Sequence, residues 1–148
     1  VAKAVKARAL LDVNVLIALL DSDHASHHSA IAWFAEHGAD GWASCPITQN
    51  GCVRIMSHPG YPNARPVAEV VERLRAATAH QAHEFWPDNL SLLDEKAIDP
   101  TRVHGPRQLT DVYLLALAVK HGGRLVTFDA AIATAAAKGA KAQHIVRL

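Results

Sequence analysis

The apolar positions of the chain fall into short continuous runs followed by helical stripes. The run ALLDVNVLIALL, residues 9–20, is apolar on all sides except at Asp12 and Asn14, which predicts a buried parallel strand passing directly into a helix. From His24 to His37, residues Ala30, Ile31, Trp33, Phe34 and His37 recur at helical spacing and Gly38 supplies the stop. GWASCP reads as a short strand closed by Pro46, and Ile47 to Ser57 as a helix with Ile47, Gly51 and Val53 or Arg54 one turn apart. HPGYPNARP is a loop by its prolines, and Pro66 then opens the amphipathic helix VAEVVERLRAATAH.

HEFWP is a further short strand, and the stretch from Asp88 to Pro106 has a mixed pattern. LTDVYLLALAVKHGG predicts an apolar helix with Thr110 as N-cap, Asp111 in its first turn and Gly122-Gly123 as its end. RLVTFD is a strand ending at Thr127 or Phe128, an Ala-rich helix is expected up to Lys138, and AQHIVRL is the last strand. This order predicts one α/β domain over residues 1–148, a central parallel sheet of about five strands with helices on both faces. Ligands of such sheets bind beyond the carboxyl ends of the strands.

Charge narrows the function classes. Lys and Arg number 15 against 14 Asp and Glu, so the chain has no overall positive field, and a nucleic-acid site has to be local. Arg54, Arg65, Arg102 and Arg107 could flank such a site, each with solvated arginine as the plain alternative. Cys45 and Cys52 lack the spacing of a structural zinc site and are read as small core residues in a reducing compartment. His24 and His28 stand four residues apart without a third ligand. The amino end carries Lys3, Lys6 and Arg8 without a secretory h-region, and no apolar run approaches a membrane span. A cytoplasmic protein with no membrane contact is expected. The chain also lacks a G-x-S-x-G elbow and a Gly-rich phosphate loop.

Two predicted strands end in aspartate, Asp12 after ALL and Asp129 after LVTF, so parallel strands would send both carboxylates out of one edge. Asp111, at the start of the most apolar helix, could face the same crevice or simply favour the helix amino end. Asp129 could equally shape an Asx turn or cap a helix. Asp12 interrupts an apolar run, and a buried carboxylate is costly without a partner or cation. Crowded carboxylates suit Mg²⁺ or Mn²⁺, whose natural chemistry in such a site is hydrolysis of a phosphodiester.

ALLDVNVLIALL, CPITQNGCVRIMSHPGYPN and QLTDVYLLALAVKHGGRLVTFD, in this order, resemble a PIN domain of the VapC type, the toxin of bacterial toxin–antitoxin pairs. The resemblance spans nearly the whole chain. It implies a Mg²⁺- or Mn²⁺-dependent endoribonuclease, a homodimer, and neutralisation by a cognate VapB-type antitoxin. Residue by residue, it implies that Asp12, Asp111 and Asp129 are the catalytic and metal-holding acids. Asn14 and Thr127 match polar residues that accompany those acids and orient them by hydrogen bonds. Arg54 is the candidate for substrate binding.

One departure stands out. Relatives usually place Glu in the segment matching Thr48-Gln49-Asn50-Gly51, and here no acid occurs between Asp40 and Glu69. Gln49 is the expected substitute, able to hydrogen-bond but one negative charge short. Asp88 is a supplementary acid or a loop cap. Two other functions compete with the toxin: an RNA-binding PIN protein weakened by the missing acid, and a receiver-like Mg²⁺-binding signalling module. The latter needs an acceptor aspartate on a middle strand and a lysine near RLVTFD, and neither is present.

Overall fold

The computed structural model describes residues 7–148, so Lys3 and Lys6 lie outside the described residues. Five short parallel strands form one sheet: β1 (Ala9–Leu11), β2 (Trp42–Ser44), β3 (His83–Phe85), β4 (Arg124–Thr127) and β5 (Ile145–Arg147), in the order β3-β2-β1-β4-β5. All four pairings are parallel, with Leu10 in the middle, opposite Ala43 on one side and Leu125 on the other. The chain first builds outward from β1 through β2 to β3, then returns to add β4 on the other flank. Loops leaving β1 and β4 therefore diverge, which opens a crevice at the carboxyl ends of these two strands.

Alternation along β1 divides the core. Ala9 and Leu11 face a cluster with α1 (Val13–Leu20), α2 (His27–His37), α3 (Pro46–Met56) and α4 (Val67–Thr78), where Trp33, Trp42, Met56 and Val70 are buried. Leu10 and Leu125 face α5 (Leu109–Lys120), whose residues Val112–Ala118 are all buried, together with Trp86, Ile98 and Ile145. An apolar helix with almost no polar stripe belongs under such a double cover. α5 stops where Gly122 takes φ +67°, a left-handed value that glycine adopts freely. At Gly123 a Cβ would stand 2.5 Å from the Arg8 carbonyl and 2.6 Å from Trp86, so the entry to β4 needs a residue without a side chain.

Three expectations are corrected. The Ala-rich segment before Lys138 is not an α-helix; it holds one tight turn, Thr134–Ala136. Its backbone is engaged elsewhere: Asp99 N–H donates to the Ala136 carbonyl, Lys138 N–H donates to the Ala97 carbonyl, and Ile98 bridges Ala137. Tertiary pairing outweighs the helix propensity of alanine there. Thr110 is not the N-cap of α5, because the turn Pro106–Gln108 runs directly into a helix starting at Leu109. Finally, α2 begins at His27, since the His24 ring accepts from Ser26 N–H and closes a preceding turn, so His24 and His28 do not share a helix face.

Candidate functional site

Asp12 sits at the seam between β1 and α1 and is only 4% exposed. Its backbone continues the sheet by donating to the Val126 carbonyl, and its own carbonyl accepts from Val15 and Leu16 N–H as the first bonds of α1. The carboxylate is held at both oxygens: Oδ1 accepts from Val13 N–H at 2.7 Å and Oδ2 from the Thr127 hydroxyl at 2.6 Å. Burial raises its pKa above the usual carboxylate value; the Thr127 and Val13 bonds oppose this and the nearby Asp129 adds to it.

Thr127 is fully buried and links two of the acids. While its hydroxyl donates to Asp12, its Oγ1 accepts from Asp129 N–H at 3.0 Å, fixing where the chain turns out of β4. Asp129 then accepts from Ala131 N–H at 2.8 Å in an Asx turn. Asn14 lines the same crevice, its Oδ1 facing Phe128 N–H at a long 3.5 Å.

Asp111, in the first turn of α5, meets this pair from the other side. Burial, the charge of Asp12, and a hydrogen bond and repulsion from Asp129 push its carboxyl up to about 7. Asp12, Asp111 and Asp129 thus converge on a cleft of about 640 Å³ at the switch point of the sheet.

The wall formed by α3 departs from expectation. Ile47, Asn50, Gly51, Arg54 and Ile55 line the cleft, one stripe at helical spacing. Gln49 falls off that stripe; it lines a groove against α4 instead, and its amide donates to Ser44 Oγ at 3.0 Å, which also meets His83 Nε2 at 2.8 Å. Asn50, the next residue, is the amide that borders the acids. The period of Ile47, Gly51 and Arg54 carried this signal, but residue type favoured Gln49. Gly51 lets α3 approach α1, since a Cβ there would stand 2.8 Å from Val13 Cγ2.

Arg54 is exposed and lines the cleft. Asp88, three residues beyond β3, also lines it. Thr110 contributes to the lining as well, a placement that its expected capping role concealed. Both cysteines are free and buried, with Cys45 pushed up to about 11 and Cys52 to about 12, chiefly by burial. Neither is a thiolate nucleophile at neutral pH.

Among the described residues no three His, Cys, Asp or Glu side chains form a ready-made cation cage. The donors nonetheless match the chemistry of Mg²⁺ or Mn²⁺. Asp111 and Asp129 are in hydrogen-bond contact, which two carboxyl groups achieve only by sharing a proton that a hard cation could replace. Asp88 borders the cleft on the β3 side, with Oδ1 buried and the Cys45 thiol beside its carboxyl. Asp12, Asp111 and Asp129 are the residues that would hold such an ion.

The PIN domain family model matches residues 9–138, from the first residue of β1 to beyond the last acid of the cleft. Among curated proteins of Mycobacterium tuberculosis, Ribonuclease VapC44 is 55% identical over 141 residues, spanning 95% of this chain and 99% of that protein. Ribonuclease VapC39 is 45% identical over 132 residues, 88% of this chain and 95% of its own length. Ribonuclease VapC29 is 40% identical over 124 residues, 84% and 87% respectively. With the acids of β1, α5 and β4 converging inside the matched region, the chain belongs to the PIN domain family.

Proposed function

We propose that the chain is a VapC-type toxin, an endoribonuclease that hydrolyses RNA phosphodiesters with the help of Mg²⁺ or Mn²⁺. The observation that carries this reading is the convergence of Asp12, Asp111 and Asp129 at the switch point of the sheet, where burial and mutual repulsion raise Asp111 to about 7. Such a group favours a cation and repels an RNA phosphate unless the cation is present.

Each residue then has a part. Thr127 and the Val13 N–H hold the Asp12 carboxylate at a fixed angle in the lining of the cleft. Asp111 and Asp129 close the opposite side. Asn14 and Asn50 border the acids with amides that can orient water or a ribose hydroxyl, and Arg54 at the rim meets a neighbouring phosphate. A divalent cation held by Asp12, Asp111 and Asp129 would activate water and offset charge on the leaving oxygen. In the hydrolysis the water oxygen would bond to phosphorus, the bond from phosphorus to the bridging oxygen would break, and that oxygen would leave with the proton the water gives up.

On the VapC-type reading, a VapB-type antitoxin is the expected partner and a homodimer the expected assembly. An apolar groove between α1, α2 and α4, with Leu16, Leu20, Ile31 and Phe34 in its walls, offers a surface that a partner helix could cover. The test is incubation of the purified, antitoxin-free chain with total RNA, with Mn²⁺ or with EDTA, followed by mapping of the new ends. Discrete cuts with Mn²⁺ alone are expected; RNA binding without cuts would favour the weakened RNA-binding protein instead.

A further inference from the structure

Gln49 faces away from the acids, yet it anchors the helix that carries Asn50 and Arg54. Its amide N–H donates to Ser44 Oγ at 3.0 Å, and Ser44 Oγ meets His83 Nε2 at 2.8 Å. Ser44 closes β2 and is fully buried, while His83 opens β3 and is half-buried, so α3, β2 and β3 meet at one hydroxyl. The Thr78 carbonyl, at the end of α4, accepts from the His83 ring. Nε2 is engaged with Ser44, so Nδ1 carries the proton for Thr78 and Nε2 is left as an acceptor. The bonds run in one direction, from the Gln49 amide to the Ser44 hydroxyl, from that hydroxyl to His83, and from His83 to Thr78.

Burial holds His83 below its ordinary pKa, with Arg8 and His80 adding to the shift and the Thr78 carbonyl and Glu84 opposing it. Arg8 ahead of β1, Glu84 on β3 and His80 beyond α4 are the titratable and charged groups facing the ring; β2 presents the Trp42 ring at 4.5 Å and Ser44, and α3 presents Gln49. Gln49 and Gly51 lie on opposite sides of α3, and at Gly51 the helix abuts Val13 of α1. The tether on one side and the contact on the other fix the rotation of α3. Side-chain atoms stand about 5–6 Å from a helix axis, so a rotation of about 10° displaces Asn50 and Arg54 by about 1 Å. A misplacement of that size can cost on the order of 100-fold in rate.

We infer that Gln49, Ser44 and His83 are positioning residues of the cleavage reaction: their hydrogen-bond chain sets the rotation of α3 and so the placement of Asn50 and Arg54 beside Asp12, Asp111 and Asp129. This rests on the endoribonuclease reading above and adds to it residues that lie outside the cleft. The chain holds only with a neutral imidazole. Protonation turns His83 Nε2 into a donor, so Ser44 faces donors from both neighbours and its own buried proton loses its acceptor.

Side-chain nitrogen NMR of the histidines, on the full chain without RNA, reads the chain directly. His83 should titrate below an ordinary histidine and carry its proton on Nδ1 when neutral. Gln49→Glu, whose carboxylate accepts from Ser44 and reverses the chain, should raise the midpoint by at least about one pH unit. An unmoved midpoint, or a neutral ring protonated on Nε2, overturns the chain. Single-turnover RNA cleavage in saturating Mn²⁺, at a temperature where every variant is folded, reads its use. Ser44→Ala and His83→Phe should slow cleavage about 10–100-fold while Mn²⁺ affinity stays within about threefold of wild type. His83→Gln, whose amide oxygen accepts from Ser44, should restore cleavage to within about fivefold. Lower unfolding midpoints with unchanged cleavage would show that the chain only supports the fold, and would overturn the positioning role. A wild type that makes no cuts defeats the endoribonuclease reading and the positioning role with it, while the titration still decides the hydrogen-bond chain.

Discussion

Raising the pH in the absence of a cation charges a cleft that is costly to charge, and Asp111 bears much of that cost. Its carboxyl is pushed up to about 7 by burial, by the Asp12 charge and by Asp129, against 3.8 for an ordinary aspartate. Between those values the folded chain keeps a proton that the unfolded chain has lost, so this group makes stability fall as pH rises and adds no further loss above about 7. The interval sets a ceiling of about 4 kcal/mol at roughly 1.4 kcal/mol per pH unit. Solvent at the cleft mouth and the proton shared with Asp129 reduce the expected effect to about 2 kcal/mol. Asp111→Asn keeps the shape of the side chain and removes its charge. In urea unfolding with EDTA, the variant should match wild type near pH 4 and exceed it by about 2 kcal/mol near pH 8. Adding Mn²⁺ should then narrow the gap by stabilising wild type alone. A difference independent of pH, or one that shrinks as pH rises, would refute the reasoning.

The other expected effects involve the supports of the cleft. Thr127→Val removes the hydroxyl that bonds Asp12 and steadies Asp129; it should cost about 1.5–3 kcal/mol in urea unfolding and lower Mn²⁺-dependent cleavage about 10–100-fold. Gly51→Ala should destabilise by about 1–2 kcal/mol despite the better helix propensity of alanine, because the new methyl meets Val13. Adding Val13→Ala, which vacates that space, should leave the double variant more stable than the sum of the single losses, as read from urea midpoints. Arg54→Ala should weaken RNA binding and reduce the slope of log affinity against log salt by about one, measured by fluorescence anisotropy across a salt series.

The sheet was legible because its signals are local. Apolar runs at 9–11, 42–43 and 125–126 mark strands buried on both faces, and alternation with helices implies parallel pairing. The positions of Asp12 and Asp129 at strand ends, and of Asp111 in the first turn of α5, followed from the same pattern. What failed depended on contacts between distant residues. The segment around Ala136 reads as a helix until its backbone is seen bonded to residues 97–99. Thr110 reads as a cap until the preceding turn is seen to join the helix without a break. Gln49 reads as the substitute acid position by chemical type, yet the helical period turns it toward Ser44 and presents Asn50 to the cleft. For Asp88, sequence favoured a loop cap over an added acid, and only tertiary structure sets its carboxyl beside the buried Cys45 thiol.

Asp12, its buried carboxylate held by Thr127 and Val13, stands at the centre of the acidic group. Single-turnover RNA cleavage by Asp12→Asn should be compared with wild type in saturating Mn²⁺, with RNA affinity and the unfolding midpoint measured on the same samples. The prediction is a folded variant that still binds RNA and makes no detectable cuts. Cleavage by that variant at the wild-type rate would contradict the assignment of the cleft as the catalytic centre.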